Sequence, residues 1–126
     1  MYKRQSRQEA LQRIALATGT IDKVMAAAYE RLIRPAPNRW SDWLSRCRTQ
    51  AEGGIAALAA QSWPADAPID QACITTTCMI RYVRQADPDL MPSGRYPFLE
   101  ALSQRCEAHQ AFRATWPAEY VVPSKG

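Results

Sequence analysis

The sequence predicts an all-α protein, a bundle of four to five helices, and three observations carry that expectation. Apolar residues recur at spacings of three and four through most of the chain, the period of one helix face. Nine prolines, none before Pro35, interrupt that pattern mostly in pairs, as proline interrupts helices. No two alternating apolar and polar runs exist that could pair as a sheet.

The first interval carries Leu11, Ile14, Thr18, Ile21, Met25, Ala28 and Leu32 as one apolar seam on a long helix, with Arg13, Asp22, Lys23, Glu30 and Arg31 off it. Gly19 within it costs about 1 kcal/mol relative to alanine and marks a bend or the close approach of another backbone. After Pro35 and Pro37, Asn38 is the expected N-cap of a second helix, with Trp40, Trp43, Leu44, Cys47, Ala51, Ile55 and Leu58 as its stripe. Its two tryptophans are expected to anchor the packing, and it fades near Gln61. Asp70 caps a third helix that runs to about Ala86. Residues 71–80 hold no charge, which predicts a helix buried on all sides at the bundle centre. A short strand at Ile74-Thr75-Thr76-Thr77 is the rival reading. The fourth element starts at Pro97, a good first-turn residue, and runs as one helix through Phe98, Leu99, Leu102, Cys106, His109 and Phe112 to Trp116-Pro117. Residues 118–126 are expected to be an extended tail.

The 126 residues suit one domain with a core that needs no staples. A net charge of +4 permits acidic partners without arguing for them. No uncharged stretch reaches the roughly 18 residues of a membrane span, and the charged opening is not a signal peptide. The four cysteines form no Cys-x-x-Cys pair and sit in apolar patterns, as buried free thiols do. These points predict a cytoplasmic protein with reduced thiols.

Chemistry-bearing constellations are sparse. His109, the one histidine, stands on the apolar side of its helix without the converging ligands of a metal site, so a structural role and no metal are expected. Cys73 and Cys78 lie about 140° apart around a helix and face different neighbours. Gly53-Gly54 follows no strand and makes no phosphate loop. The arginines scatter along the polar sides of several helices, as on a solvated face, and no nucleic-acid partner is expected.

The order of several motifs resembles the C-terminal all-helical domain of the bacterial glutathione S-transferases. Gly19-Thr20-Ile21-Asp22, Ala26-Ala27-Ala28-Tyr29-Glu30 and Arg34-Pro35 are similar to that domain's first helix and its exit. Trp43-x-x-Arg46 and Ile55-x-x-Leu58 resemble the second, Asp70-Gln-Ala-Cys73 with Tyr82-Val83 the central one. Tyr96-Pro97-x-Leu99 and Phe112-x-x-Thr115-x-Pro117 resemble the closing one. The resemblance covers residues 11–117, with residues 1–10 as a leader or linker outside it. Two places depart from the family pattern: Cys73 replaces the aspartate of its capping box, which loses the reciprocal bond, and His109-Gln110 stands where Arg-Pro is frequent.

The resemblance implies a transferase that joins the glutathione thiolate to hydrophobic electrophiles. Glutathione, as co-substrate, belongs to a thioredoxin-like domain that no pattern before Leu11 supplies, so the chain is read as a truncated product or partial gene reading without a catalytic residue of its own. By position, Thr18, Asp22, Met25 and Tyr29 would line the electrophile pocket; the bland reading keeps Thr18 and Met25 as seam residues of the bundle. The family's habit implies a homodimer for the full-length protein, and no membrane partner. Two other classes stay open: a non-catalytic helical module that docks proteins, and the ligand-binding half of a transcription regulator.

Overall fold

Proline divides the chain as expected in the computed structural model, which describes residues 2–117, with side chains from Arg4 onward. The five α-helices are α1 (Tyr2–Ala28), α2 (Ser41–Ala59), α3 (Gln71–Ala86), α4 (Pro97–Glu107) and α5 (Gln110–Ala114), and no strand occurs among the described residues. The stretch expected as a leader is thus helical from Tyr2, and the strand rival at residues 74–77 is helix. The tail expected over residues 118–126 lies outside the described residues.

Helix α1 packs along both α2 and α3, and α3 in turn carries α4. The core between them gathers Val24, Ile55, Leu58, Met79, Ile80, Val83, Leu90 and Leu99, all essentially inaccessible. A smaller cluster of Cys73, Leu102 and Cys106 lies between α3 and α4.

The expected seam of α1 holds in part: Ala28 is buried and Ile21 and Leu32 pack against the core. Ala17, Val24, Ala27 and Ala28 face the core, while Leu11, Thr18 and Met25 face solvent. Small side chains win the inward face because they let α2 come close. Gly19 meets nothing within 4 Å of an added Cβ, so the expected close approach is not there. It occurs instead at Gly54 of α2, against Thr20.

The last turn of α1 widens to a π-helix over Tyr29–Ile33, closed by the Arg34 amide donating to the Tyr29 carbonyl at 2.9 Å. Arg34 precedes Pro35 and is extended there, since a following proline disfavours the helical region. Asn38 is not the cap of α2; it ends a 3-10 turn, and Trp40 is the N-cap residue. Trp40 anchors nothing, being 62% exposed. Its backbone N–H is instead held at 2.7 Å by the carboxylate of Glu30, a residue expected on the polar side but buried.

Asp70 caps α3, its carboxylate accepting from the Cys73 amide at 2.9 Å. The helix is not covered on all sides as its composition predicts: Ile74 and Cys78 lie on an open face. The chain after Pro97 is not one helix. It breaks at Ala108 and His109, where the Arg113 guanidinium takes the Ala108 carbonyl at 2.7 Å. His109 is an exposed N-cap residue rather than an apolar-side one, and Phe98 is 70% exposed.

Candidate functional site

Spacings of four, three and four place Thr18, Asp22, Met25 and Tyr29 on one face of a helix. In the structure Thr18, Asp22 and Met25 of α1 and Tyr29 of the π-turn are exposed, about 100° around the axis from buried Ala17, Val24 and Ala28. The setting places Thr18 and Met25 outside the buried core cluster. Met25 and Tyr29 are 37% and 52% exposed, and the stripe continues to Ile33 one turn on.

The polar groups of the stripe are arranged as acceptors. The Thr18 hydroxyl donates back to the Ile14 carbonyl at 3.0 Å, which leaves its oxygen lone pairs facing out. Asp22 has no hydrogen bond or ion pair among the described residues. Its carboxylate therefore stands in solvent between an apolar thioether and a hydroxyl.

At its C-terminal end the stripe meets a hollow of about 430 Å³ lined by Ala26, Tyr29, Glu30, Ile33, Arg34, Pro35 and Trp43. The π-turn forms one wall. Glu30 fixes this corner: one carboxylate oxygen accepts from Arg34 Nε and the other from the Trp40 amide, each at 2.7 Å. The Lys23 ammonium stands 5.8 Å from the Trp43 ring centroid, within cation–π reach. Sequence reasoning missed Ile33 and Trp43 as neighbours of the site. The step of four from Tyr29 to Ile33 was a usable signal, whereas the hollow depends on the π-turn.

Comparison with solved structures supplies the family of this fold. Two structures of a glutathione transferase family member from Pseudomonas fluorescens, one with bound glutathione and one with bound S-(propanoic acid)-glutathione, superpose with TM-scores of 0.81 and 0.80. Both are 27% identical to the chain and cover 90% of it. The chain has the helical fold of the glutathione transferases. A glutathione S-transferase from Methylobacterium radiotolerans, in complex with glutathione sulfonate, agrees at a TM-score of 0.78, 27% identity and 93% coverage. The chain spans only 56–58% of the length of these three transferase structures. No family model matches the sequence, and none of the curated proteins is similar to it.

Within this transferase-like bundle no three His, Cys, Asp or Glu side chains are grouped as a metal ion would need, among the described residues. No described helix is long and apolar enough to cross a membrane. Burial lifts the Cys73 thiol above its ordinary value; it lifts that of Cys78 as well, with the Glu107 charge adding. Neither thiol is in the thiolate form that nucleophilic chemistry needs at neutral pH.

Proposed function

We propose that the chain is the substrate-side helical domain of a glutathione transferase. In that reading Thr18, Asp22, Met25 and Tyr29 form one wall of the pocket for a hydrophobic electrophile. Glutathione is bound and activated by a separate domain. Its thiolate sulfur forms a bond to the electrophilic carbon, and the leaving group departs with the bonding electron pair. The α1 residues bind and orient; none of them is a catalyst. The full protein is cytoplasmic and dimerises in part through α1 and α2.

One observation carries the reading. Thr18, Asp22, Met25 and Tyr29 form a solvent-facing stripe outside the buried core cluster, in a fold whose solved neighbours hold glutathione and its derivatives. A helix that exposes Met25, Tyr29 and Ile33 together leaves apolar surface for another body to cover.

The test starts from the genomic DNA upstream of Met1. Where a thioredoxin-like segment is encoded in frame, the whole protein is expressed and assayed with glutathione and an activated aryl chloride. Met25→Ala and Tyr29→Ala should raise KM for the aryl chloride severalfold and leave KM for glutathione unchanged. Equal KM values in wild type and variants, or no conjugation by the whole protein, would rule the reading out.

A further inference from the structure

A second pocket, sharing no residue with the α1 stripe, opens on the uncovered face of α3. It has a volume of about 240 Å³ and lies between Ile74, Thr77, Cys78 and Arg81 of α3 and the segment carrying Phe112 and Trp116. Two of the residues that line it carry a buried polar atom with no hydrogen-bond partner among the described residues: the Thr77 hydroxyl and Arg81 Nε. Thr77 is 0% exposed. A buried hydroxyl left unpaired is costly, and a helical threonine ordinarily settles the matter by donating to the carbonyl four residues back. Here that carbonyl, of Cys73, takes the Cys106 thiol at 4.0 Å.

The two orphaned donors are four residues apart and so lie on the same face of α3, one turn from each other. The guanidinium that carries Nε is held in place. It stacks on the Trp116 ring, 3.0 Å from its centroid, and its Nη1 lies 4.0 Å from Glu107 Oε1. The walls are the faces of Ile74, Phe112 and Trp116. Arg81 and Glu107 are the only charged groups of the lining among the described residues and offset one another, so the pocket offers donors without net charge. Its volume falls below the ~300–1,000 Å³ of drug-sized sites, which limits the occupant to about one ring.

We propose that this pocket binds a small uncharged aromatic molecule with one hydrogen-bond acceptor, an aryl ketone for example, whose oxygen is taken by the Thr77 hydroxyl and the Arg81 Nε–H. The ring lies between Ile74, Phe112 and Trp116. Binding is non-covalent, because the exposed Cys78 thiol beside it remains protonated. A carboxylate in place of the ketone would meet Glu107.

The test is a two-dimensional NMR titration of the full 126-residue chain with acetophenone, ethylbenzene and benzoate. Acetophenone should shift the Trp116 indole and the Thr77 and Arg81 signals. Ethylbenzene, which lacks the acceptor, and benzoate, which carries charge, should each bind about fivefold more weakly. Thr77→Val keeps the shape and removes a hydroxyl that has no partner in the empty pocket. It should leave the melting temperature level or higher while weakening acetophenone about fivefold. Ethylbenzene binding as tightly as acetophenone would overturn the proposal. So would an unchanged acetophenone affinity in Thr77→Val, or shifts confined to residues outside this pocket.

Discussion

Thr20 of α1 occupies the space into which a side chain on Gly54 of α2 would project. A Cβ built on Gly54 overlaps the Thr20 hydroxyl and lies 3.3 Å from the Thr20 Cβ. That hydroxyl is fixed by donating to the Leu16 carbonyl at 2.7 Å, so it cannot turn aside without losing its partner. The neighbouring Gly53 meets nothing within 4 Å. Two adjacent glycines therefore have opposite reasons to be there. Gly54→Ala should destabilise the protein by about 1–3 kcal/mol through overpacking, and Thr20→Ala in the same chain should recover part of the loss. Gly53→Ala should stabilise it by roughly 0.5–1 kcal/mol, since the residue is helical and unobstructed. Thermal melts of the three variants check the sign of each effect.

The Glu30 carboxylate does for α2 what the third residue of a capping box does for its own helix, but from the preceding element. Glu30→Ala should cost about 1–3 kcal/mol, mostly from the lost bond to the Trp40 amide. The Arg34 partner is 53% exposed and adds little. Amide exchange should quicken first at Leu44, whose N–H makes the opening bond of α2 to the Trp40 carbonyl. Uniform quickening across all five helices would count against this local role.

Asp87 ties three helices through one buried carboxylate. Arg31 Nη1 of the π-turn after α1 lies 3.7 Å from it and Arg48 Nε of α2 3.4 Å, while Arg31 Nη2 also donates to the Ala86 carbonyl at 2.6 Å. Asp87→Ala should destabilise by about 2–3 kcal/mol, less than the ~3–5 kcal/mol of a fully buried broken pair because both arginines are partly hydrated. Arg48→Met should cost less than half as much, since the carboxylate keeps Arg31. Chemical denaturation of the two variants measures the ratio.

Stability should fall at alkaline pH for an identifiable reason. Burial raises the Cys73 and Cys78 thiols above the ordinary value of 9.0. Above that pH the unfolded chain releases protons that the folded chain still holds, so each further rise favours unfolding. The contribution is whole below about pH 9 and is lost as pH climbs toward the folded values. The melting temperature should decline over that window, and Cys73→Ala with Cys78→Ala should flatten the decline. An identical slope in the double variant would remove these thiols as its cause.

Much of this architecture is legible in the sequence because its punctuation is chemical. Prolines and Asp70 fix where helices stop and start, and they do so locally. What is not legible depends on how closely the helices approach. The inward face of α1 sets Ala17 and Ala27 beside Val24 and Ala28, and a search for large apolar residues passes over those two alanines in favour of Leu11 and Met25. The π-turn and the break at His109 leave no mark on the apolar spacing; Glu30 reaches the Trp40 amide ten residues on and Arg113 the Ala108 carbonyl five residues back, pairings that a search for apolar periodicity does not record. The positions Thr18, Asp22, Met25 and Tyr29 share a face because their spacing requires it. That the face looks outward follows from Gly54, thirty-odd residues away, drawing the other side of α1 against α2.

The division of labour around α1 has an evolutionary consequence. Most side chains that hold the helix and those that could meet a ligand lie on different faces. Changes at Thr18, Asp22, Met25 or Tyr29 alter what a passing molecule encounters without weakening the bundle. Descendants of such a chain can diversify their chemical diet along this one stripe while inheriting the scaffold intact.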